Sequence, residues 1–319
     1  MYKKYLQSGI EAVKNSMRIV SLIQKELTSD DSLSKKDKSP VTIADFVSQS
    51  IICTALQDEC PDINIVAEED SSQLRDNKDL IDKIFYFINK ANLYDIIENN
   101  DDLFKGIDYG KSTPDKRFFT LDPIDGTKGF LRGDQYAVAL AFIEEYDVKF
   151  GILGCPNIDK ESGGTIYYGV KREGAYKISK GETKKIRVSD NKNYELMRFV
   201  QSFERSHSDS DLQYIISKEL GIRAEPVKVD SQVKYGLLAE GKAEIYLRIP
   251  NPKTPNYKEK IWDHAAGSVI VEEAGGIVLD MFGNKLDFSR GIKLEGNKGI
   301  LATTPFLIEK ILNIIKSHF

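Results

Sequence analysis

In Leu121-Asp-Pro-Ile-Asp-Gly-Thr-Lys-Gly-Phe-Leu-Arg-Gly133 two carboxylates, Asp122 and Asp125, stand three positions apart, with Pro123 stiffening the link and Gly126-Thr127 following at once. Arg117–Leu121 reads as a strand that delivers Asp122 to its end. Asp, Pro and Gly all favour turns, so a plain turn is the simplest reading of Asp122–Asp125. Gly126 adds something a plain turn does not need, because it lets backbone N–H groups approach a ligand. Residues 126–131 (GTKGFL) have the make-up of a short helix, whose N-terminus favours an anion. Two carboxylates beside an anion-accepting turn form a place that a cation and a phosphate can share. Ile124, between the aspartates, offers its carbonyl as a further oxygen.

Other acids along the chain extend this set. Glu68-Glu69-Asp70 follows a short strand, Asn64–Ala67, and Trp262-Asp263 lies far downstream. Hard cations such as Mg²⁺ take oxygen ligands, and one or two carboxylates share each ion with waters and phosphate. Glu68, Asp122, Asp125 and Asp263 supply that chemistry, and a divalent ion removes the repulsion between them. Each has a plainer alternative. Acids at a strand end are usually a solvated turn, and Asp263 before a helical stretch is a helix cap unless the second half of the chain folds back over the first. Asp45, in Pro40-Val-Thr-Ile-Ala-Asp45, reads first as part of a capping box with Thr42 as N-cap.

Composition narrows the classes. The 319 residues are 41% hydrophobic and 29% charged, ordinary for a globular protein, and suffice for two domains or one large one. A net charge of -4 makes no case for a nucleic-acid groove or an anionic membrane. The N-terminal residues carry charges throughout, so neither a leader nor a membrane span is expected there. Cys53, Cys60 and Cys155 make no C-x-x-C pair, and reduced thiols in a cytoplasmic setting are expected. The three histidines, His207, His264 and His318, are too scattered for a zinc site.

Residues 2–27 repeat apolar side chains at three- and four-residue steps, as an amphipathic helix does. A polar loop over 28–39 and a second helix from Thr42 follow. Residues 71–117 are polar and weakly helical (Leu80–Ile88, Leu93–Ile97) and read as a mobile excursion from the core. Within them Gly106–Thr113 resembles a Walker A loop. That motif, G-x-x-x-x-G-K-S/T, needs four residues between its glycines, and only three stand here. Strands follow at Tyr136–Glu144, Val148–Cys155, Thr165–Val170, Gly174–Ile178 and Ile186–Val188. From about Tyr194 strands and helices alternate: Arg198–Phe203, Asp209–Leu220, Glu225–Val229, Gln232–Ala239, Ala243–Arg248, His264–Ala274 and Ile277–Leu279, then a C-terminal helix at Thr304–Ser317. The expected organisation is an α+β metal-binding domain over 1–192 and an α/β domain over 193–319 that contributes nucleotide contacts and Asp263.

Two separated motifs, DPIDGT (Asp122–Thr127) and WDHAAGSVIVEEAGG (Trp262–Gly276), resemble the lithium-sensitive, magnesium-dependent phosphatase superfamily. LDPIDGTKGFLRGDQYAVALAFI, GILGCPN, VDSQVKYGLLAEGKAEIYLRIP and YKEKIWDHAAG resemble its 3′(2′),5′-bisphosphate nucleotidase branch, whose members take the 3′-phosphate from adenosine 3′,5′-bisphosphate and leave AMP. The resemblance spans nearly the whole chain and is weakest over 71–117. It departs from the family at Ala67, where glycine is usual. It implies a layered αβαβα sandwich of the inositol monophosphatase and fructose-1,6-bisphosphatase type. It implies Glu68, Asp122, Ile124 (through its carbonyl), Asp125 and Asp263 as metal ligands for two or three Mg²⁺ ions, with inhibition by Li⁺. It also implies Asp45 as proton acceptor for the attacking water, paired with Thr127. Substrate contacts would come from Gly126, Thr127, His207, Ser231, Lys234, Arg248 and Asp263. Residue chemistry supports part of this: Lys234 follows Ser231 by three positions on one helical face, and Arg248 ends a strand. The partner is then a small nucleotide bisphosphate, with 3′-phosphoadenylyl sulfate as a second substrate. No nucleic-acid polymer and no membrane are expected, and the chain acts as a monomer. Three readings compete. One is an inositol polyphosphate 1-phosphatase or inositol monophosphatase on the same scaffold. Another is an aspartyl-phosphate phosphatase, whose D…DGT aspartates stand two apart rather than three. The third is a non-catalytic nucleotide or metal sensor.

Overall fold

In chain order the protein forms α1 (Lys3–Thr28), α2 (Ser39–Glu59), β1 (Asn64–Ala67), α3 (Lys78–Lys90), α4 (Asn100–Asp108), β2 (Arg117–Asp125), α5 (Thr127–Leu131), β3 (Ala137–Glu144), β4 (Asp147–Cys155), β5 (Thr165–Val170), β6 (Gly174–Ser179) and β7 (Glu182–Ile186). It continues with β8 (Phe199–Gln201), α6 (His207–Leu220), β9 (Val227–Lys228), α7 (Val233–Ala239), β10 (Ile245–Arg248), α8 (Ala265–Glu273), β11 (Ile277–Leu279), β12 (Ile300–Thr303) and α9 (Ile308–His318). This is a computed structural model, and it describes residues 2–28, 39–93, 95–203, 207–250, 254 and 256–318. Strands β1 to β7 make one sheet in sequence order; β1 pairs parallel with β2, and the later neighbours are antiparallel. The second sheet has the order β11-β12-β10-β8-β9, parallel over β10-β8-β9 and antiparallel at β12.

Side-chain alternation along these strands builds the layers. Phe119 and Leu121 of β2, with Leu140 and Phe142 of β3, face Val13, Val20, Ile43, Val47 and Ile51 of α1 and α2. Phe118, Ala139 and Ala141 point the other way, onto α7 and α8. Tyr246 and Ala302 of the second sheet close that middle layer. Ile245, Leu247 and Leu301 face outward onto Leu212, Ile216 and Ile311 of α6 and α9. The result is the five-layered αβαβα sandwich.

Small residues make the middle layer thin. A Cβ on Gly151 would lie 2.5 Å from the Ala266 carbonyl oxygen, and one on Gly169 would lie 2.8 Å from Ile270 Cα. The backbone of α8 therefore rests almost directly on the first sheet, which carries the segment before it to that sheet's end.

Several expectations are corrected. Helix α2 begins at Ser39, so Thr42 lies inside its first turn and is not the N-cap. Residues 71–117 are built into the structure: Ile81, Ile84, Phe87 and Ile88 of α3 and Leu103 and Ile107 of α4 are buried in the core. Within the stretch expected as a helix over Leu93–Ile97, Asp95 and Ile96 form a turn, and the helix lies instead at α4. Gly106 serves packing, since its Cβ would meet Ser50 Oγ at 2.4 Å. The strand expected at Ile186–Val188 runs over Glu182–Ile186. Strand β12, a short run between Gly299 and Thr304-Pro305, was not expected at all.

Candidate active site

Parallel pairing of β1 with β2 sets Ala67 opposite Leu121, so Glu68 and Asp122 leave the sheet side by side. The β2–β3 register then shifts between Asp122 and Asp125. A bulge of this kind re-aims side chains, and Pro123, which lacks an N–H, costs the ladder nothing there. Helix α2 holds the irregular segment. Ser48 Oγ donates to the Pro123 carbonyl at 3.0 Å, and the Ile124 N–H donates to Asp122 Oδ1 at 3.1 Å. One residue on, Gln49 Nε2 donates to the Glu69 carbonyl at 2.7 Å while its Oε1 accepts the Glu69 N–H at 3.1 Å. Asp45 stands one helical turn before these two residues, on their face of α2.

The carboxylates raise one another's pKa. Burial pushes Asp122 well up, and Glu68, Asp125, Asp263 and Asp45 push it further. Asp45 is likewise raised well above the ordinary range, first by burial and then by Glu69 and Glu68. Glu68 keeps solvent contact, yet the protein crowded around its carboxyl pushes it up to about 7, with Glu69 and Asp125 adding to the rise. Asp263 is pushed up to about 8 by burial and by Asp125, against the pull of Arg248. Asp125 is raised by burial, while Lys234, the Gln232 N–H, Arg248 and His264 pull it back.

A cleft of about 250 Å³ opens beside this cluster, and its lining mixes Asp125, Gly126, Thr127 and Asp263 with Ser231, Lys234 and Arg248. Three distant segments meet there. Gly126, at φ +95°, leaves no room for a side chain, since its Cβ would come within 2.8 Å of Ser231 Cβ. Ser231, itself at φ +67°, accepts the Val233 N–H at 3.2 Å and so starts α7. The Gln232 N–H donates to Asp125 Oδ2 at 2.6 Å. The Gln232 side chain donates to the Trp262 carbonyl at 2.9 Å and accepts the Gly267 N–H at 3.1 Å. Gln232 thus ties the Asp122–Thr127 turn to the start of α8. Lys234 Nζ lies 3.2 Å from Ser202 Oγ, and Arg248 Nη2 lies 2.8 Å from Glu259 Oε2.

The fold therefore brings Asp45, Glu68, Asp122, Ile124, Asp125, Gly126, Thr127, Ser231, Lys234, Arg248 and Asp263 to one region. Asp263 is not a helix cap; His264 occupies that position and makes no side-chain capping bond. His207 is the first residue of α6, and its side chain lies outside the described residues. Sequence reasoning assigned no role to Ser48, Gln49, Gln232, Glu259, Arg132 or Asp230. Only Gln232 carried a signal, as the residue between Ser231 and Lys234.

The donor set suits a hard cation. Glu68, Asp122, Asp125, Asp263 and the Ile124 carbonyl are oxygen donors, and Asp122 is buried with neighbours of its own sign. Among the described residues, the three-donor group whose atoms all lie within 4.8 Å is Glu259, Asp263 and His264. Two of its members are already engaged: Glu259 with Arg248, and His264 with the Tyr235 hydroxyl at 2.8 Å. The remaining carboxylates stand wider than a single chelate, which Mg²⁺ tolerates because it keeps several waters.

This layered fold with an acidic cleft at the sheet end defines a class, and the chain belongs to the inositol monophosphatase family, which it matches over residues 3–318. Solved structures of that fold include the IMPase of Thermotoga maritima (TM-score 0.64, 20% identity, 98% of this chain and 97% of that one). The extragenic suppressor protein suhB of Bartonella henselae is another (TM-score 0.67, 18% identity, 99% of each chain). Within the family, a 3′(2′),5′-bisphosphate nucleotidase of Dictyostelium discoideum is 41% identical, over 97% of this chain and 95% of that protein. One of Oryza sativa is 40% identical over 99% and 94%, and one of Schizosaccharomyces pombe 38% over 96% and 93%.

Proposed function

We propose that this protein is a magnesium-dependent 3′(2′),5′-bisphosphate nucleotidase, converting adenosine 3′,5′-bisphosphate to AMP and phosphate and accepting 3′-phosphoadenylyl sulfate as well. The observation that carries this reading is the mixed lining of the cleft. Carboxylates able to hold cations share it with a lysine and an arginine, so it suits a substrate with two anionic groups.

In this reading Glu68, Asp122, Asp125, Asp263 and the Ile124 carbonyl hold two or three Mg²⁺ ions. Bound there, the ions supply Lewis-acid activation of water and charge neutralisation of the phosphate. The backbone of Gly126 and Thr127 and the hydroxyl of Thr127 orient the 3′-phosphate. Asp45 accepts the proton of the attacking water with Thr127 as its partner; the water oxygen bonds to phosphorus as the bond to the ribose 3′-oxygen breaks, and that oxygen takes a proton from solvent water to leave as the AMP hydroxyl. Ser231, Lys234 and Arg248 bind the 5′-phosphate through charge-assisted hydrogen bonds, and His207 joins the substrate contacts. The division into residues 1–192 and 193–319 follows the two sheets, with metal ligands mostly on the first part and nucleotide contacts on the second. Inhibition by Li⁺, a cytoplasmic setting, a role in sulfur assimilation and action as a monomer without membrane or nucleic-acid partners belong to the same reading. None of the helices among the described residues is long and apolar enough to cross a membrane, and the free cysteines are buried.

A phosphate-release panel tests the proposal. Adenosine 3′,5′-bisphosphate and inositol 1,4-bisphosphate are compared with Mg²⁺, with and without Li⁺. Faster release from the adenosine compound, suppressed by Li⁺, is expected. Preference for the inositol compound assigns the chain to the inositol branch, and binding without release makes it a sensor.

A further inference from the structure

Next in the chain to Ser202, which lines the cleft, stands a ring that the roles above leave unused. Phe203 is 48% exposed. Its backbone is anchored. The Phe203 N–H donates to Asp230 Oδ1 at 3.3 Å, and the other oxygen of Asp230 binds the Arg132 guanidinium. Arg132 also pairs with Asp134 at 2.9 Å and lies 5.3 Å from the centre of the Phe203 ring. Arg132, Ser202 and Asp230 line the cleft directly. The neighbours of this group are the substrate-facing residues: Ser202 touches Lys234, and Asp230 precedes Ser231.

We infer that Phe203 and Arg132 form the nucleobase site, and that Phe203 determines specificity for nucleotides over other bisphosphates. This rests on the nucleotidase reading and deepens it. A ribose 3,5-bisphosphate bound in this cleft has a third arm, the base at C1′. A flat ring and a flat guanidinium offer stacking faces that suit a purine and give nothing to a polyol such as inositol. Asp230 holds both groups in register with the turn that contacts Asp125, so base and scissile phosphate are positioned by one segment.

The test uses the full-length enzyme and two substrates: adenosine 3′,5′-bisphosphate, and methyl riboside 3,5-bisphosphate, which keeps both phosphates and lacks the base. Phe203→Leu keeps apolar bulk and removes the aromatic face; Phe203→Trp keeps the face. Base–aromatic stacking of ~1–3 kcal/mol corresponds to about 5- to 150-fold in binding. The kcat/KM ratio of the adenosine substrate to the base-free one is therefore expected to fall by that factor in Phe203→Leu, through KM, and to recover in Phe203→Trp. An equal loss on both substrates, or no loss on either, overturns the inference and leaves Phe203 as a support for the Arg132–Asp230 pair. Should the wild type hydrolyse neither substrate, the nucleotidase reading falls, and AMP titration of wild type and Phe203→Leu still tests the ring: equal affinities overturn the inference.

Discussion

Asp125 is the residue on which the site turns. It accepts the Gln232 N–H, lies within the field of Lys234 and Arg248, and faces Glu68 and Asp263. Asp125→Asn keeps its shape and removes the charge a cation needs. It should lower Mg²⁺-dependent phosphate release by more than about 100-fold, beyond the 10–100-fold typical of changes around a metal ligand. Calorimetric titration with Mg²⁺ should show the loss of affinity, and near-normal turnover at saturating Mg²⁺ would contradict the assignment. Arg248 lines the same cleft. Its guanidinium is oriented by Glu259, a fork geometry that lysine cannot reproduce. Arg248→Lys should raise KM for the bisphosphate about ten-fold, the equivalent of one charge-assisted hydrogen bond. An unchanged KM would remove Arg248 from the substrate site. Much at this scale was legible beforehand. DPIDGT shows acids, a stiff link and a permissive glycine, and those are local properties. Ser48 and Gln49 were not legible as holders of that turn, because a serine and a glutamine in a helix look alike whether they face solvent or a neighbouring carbonyl.

Among the elements, α7 carries Lys234 and α8 follows directly on Asp263, and their contact is very close. A Cβ on Gly267 would fall 2.2 Å from the Tyr235 ring, whose hydroxyl holds the buried His264 beside Asp263. Gly267→Ala should cost about 1–3 kcal/mol of stability through overpacking, read as a lower urea midpoint, and should reduce turnover by moving Asp263. A variant of wild-type stability would show that α7 and α8 separate freely. The helices and longer strands were readable from their periodicity, and the final hairpin strands fell within a residue or two of their expected ends. Residues 71–117 were misread because α3 and α4 bury apolar side chains on one face only, and their many charges obscure it. Strand β12 escaped because Ile300-Leu-Ala302 is an apolar run without alternation, directly before a stretch that reads as helix.

For the whole molecule, the carboxylate cluster makes stability depend on pH and on cations. Acids whose pKa is raised on folding stabilise the protein when protonated, and that contribution is lost as pH climbs from the ordinary carboxyl value of about 4 through the folded value. For Glu68 and Asp263 the folded values are about 7 and about 8. Without divalent ions, the cluster should therefore subtract stability progressively between about pH 4 and pH 8. Mg²⁺ binds the ionised form and reverses the loss. The rise in Tm on adding Mg²⁺ should be larger at pH 8 than at pH 5, as thermal melts in both buffers would show. An equal rise at both pH values would mean that these acids do not hold the ion.

By itself the sequence determined the turn chemistry of Asp122–Thr127, the periodicity of most helices and strands, and the family likeness of two distant motifs. Each depends on residues close together in the chain, where bond geometry and side-chain spacing act directly. Only the tertiary structure decided that Glu68 leaves β1 beside Asp122, that Gln232 ties Asp125 to the start of α8, and that Phe203 stands exposed next to a residue lining the cleft. The first follows from strand pairing and the second from a thin glycine-lined layer that lets α8 lie on the first sheet, and contacts between segments so far apart in the chain are a property no local stretch contains.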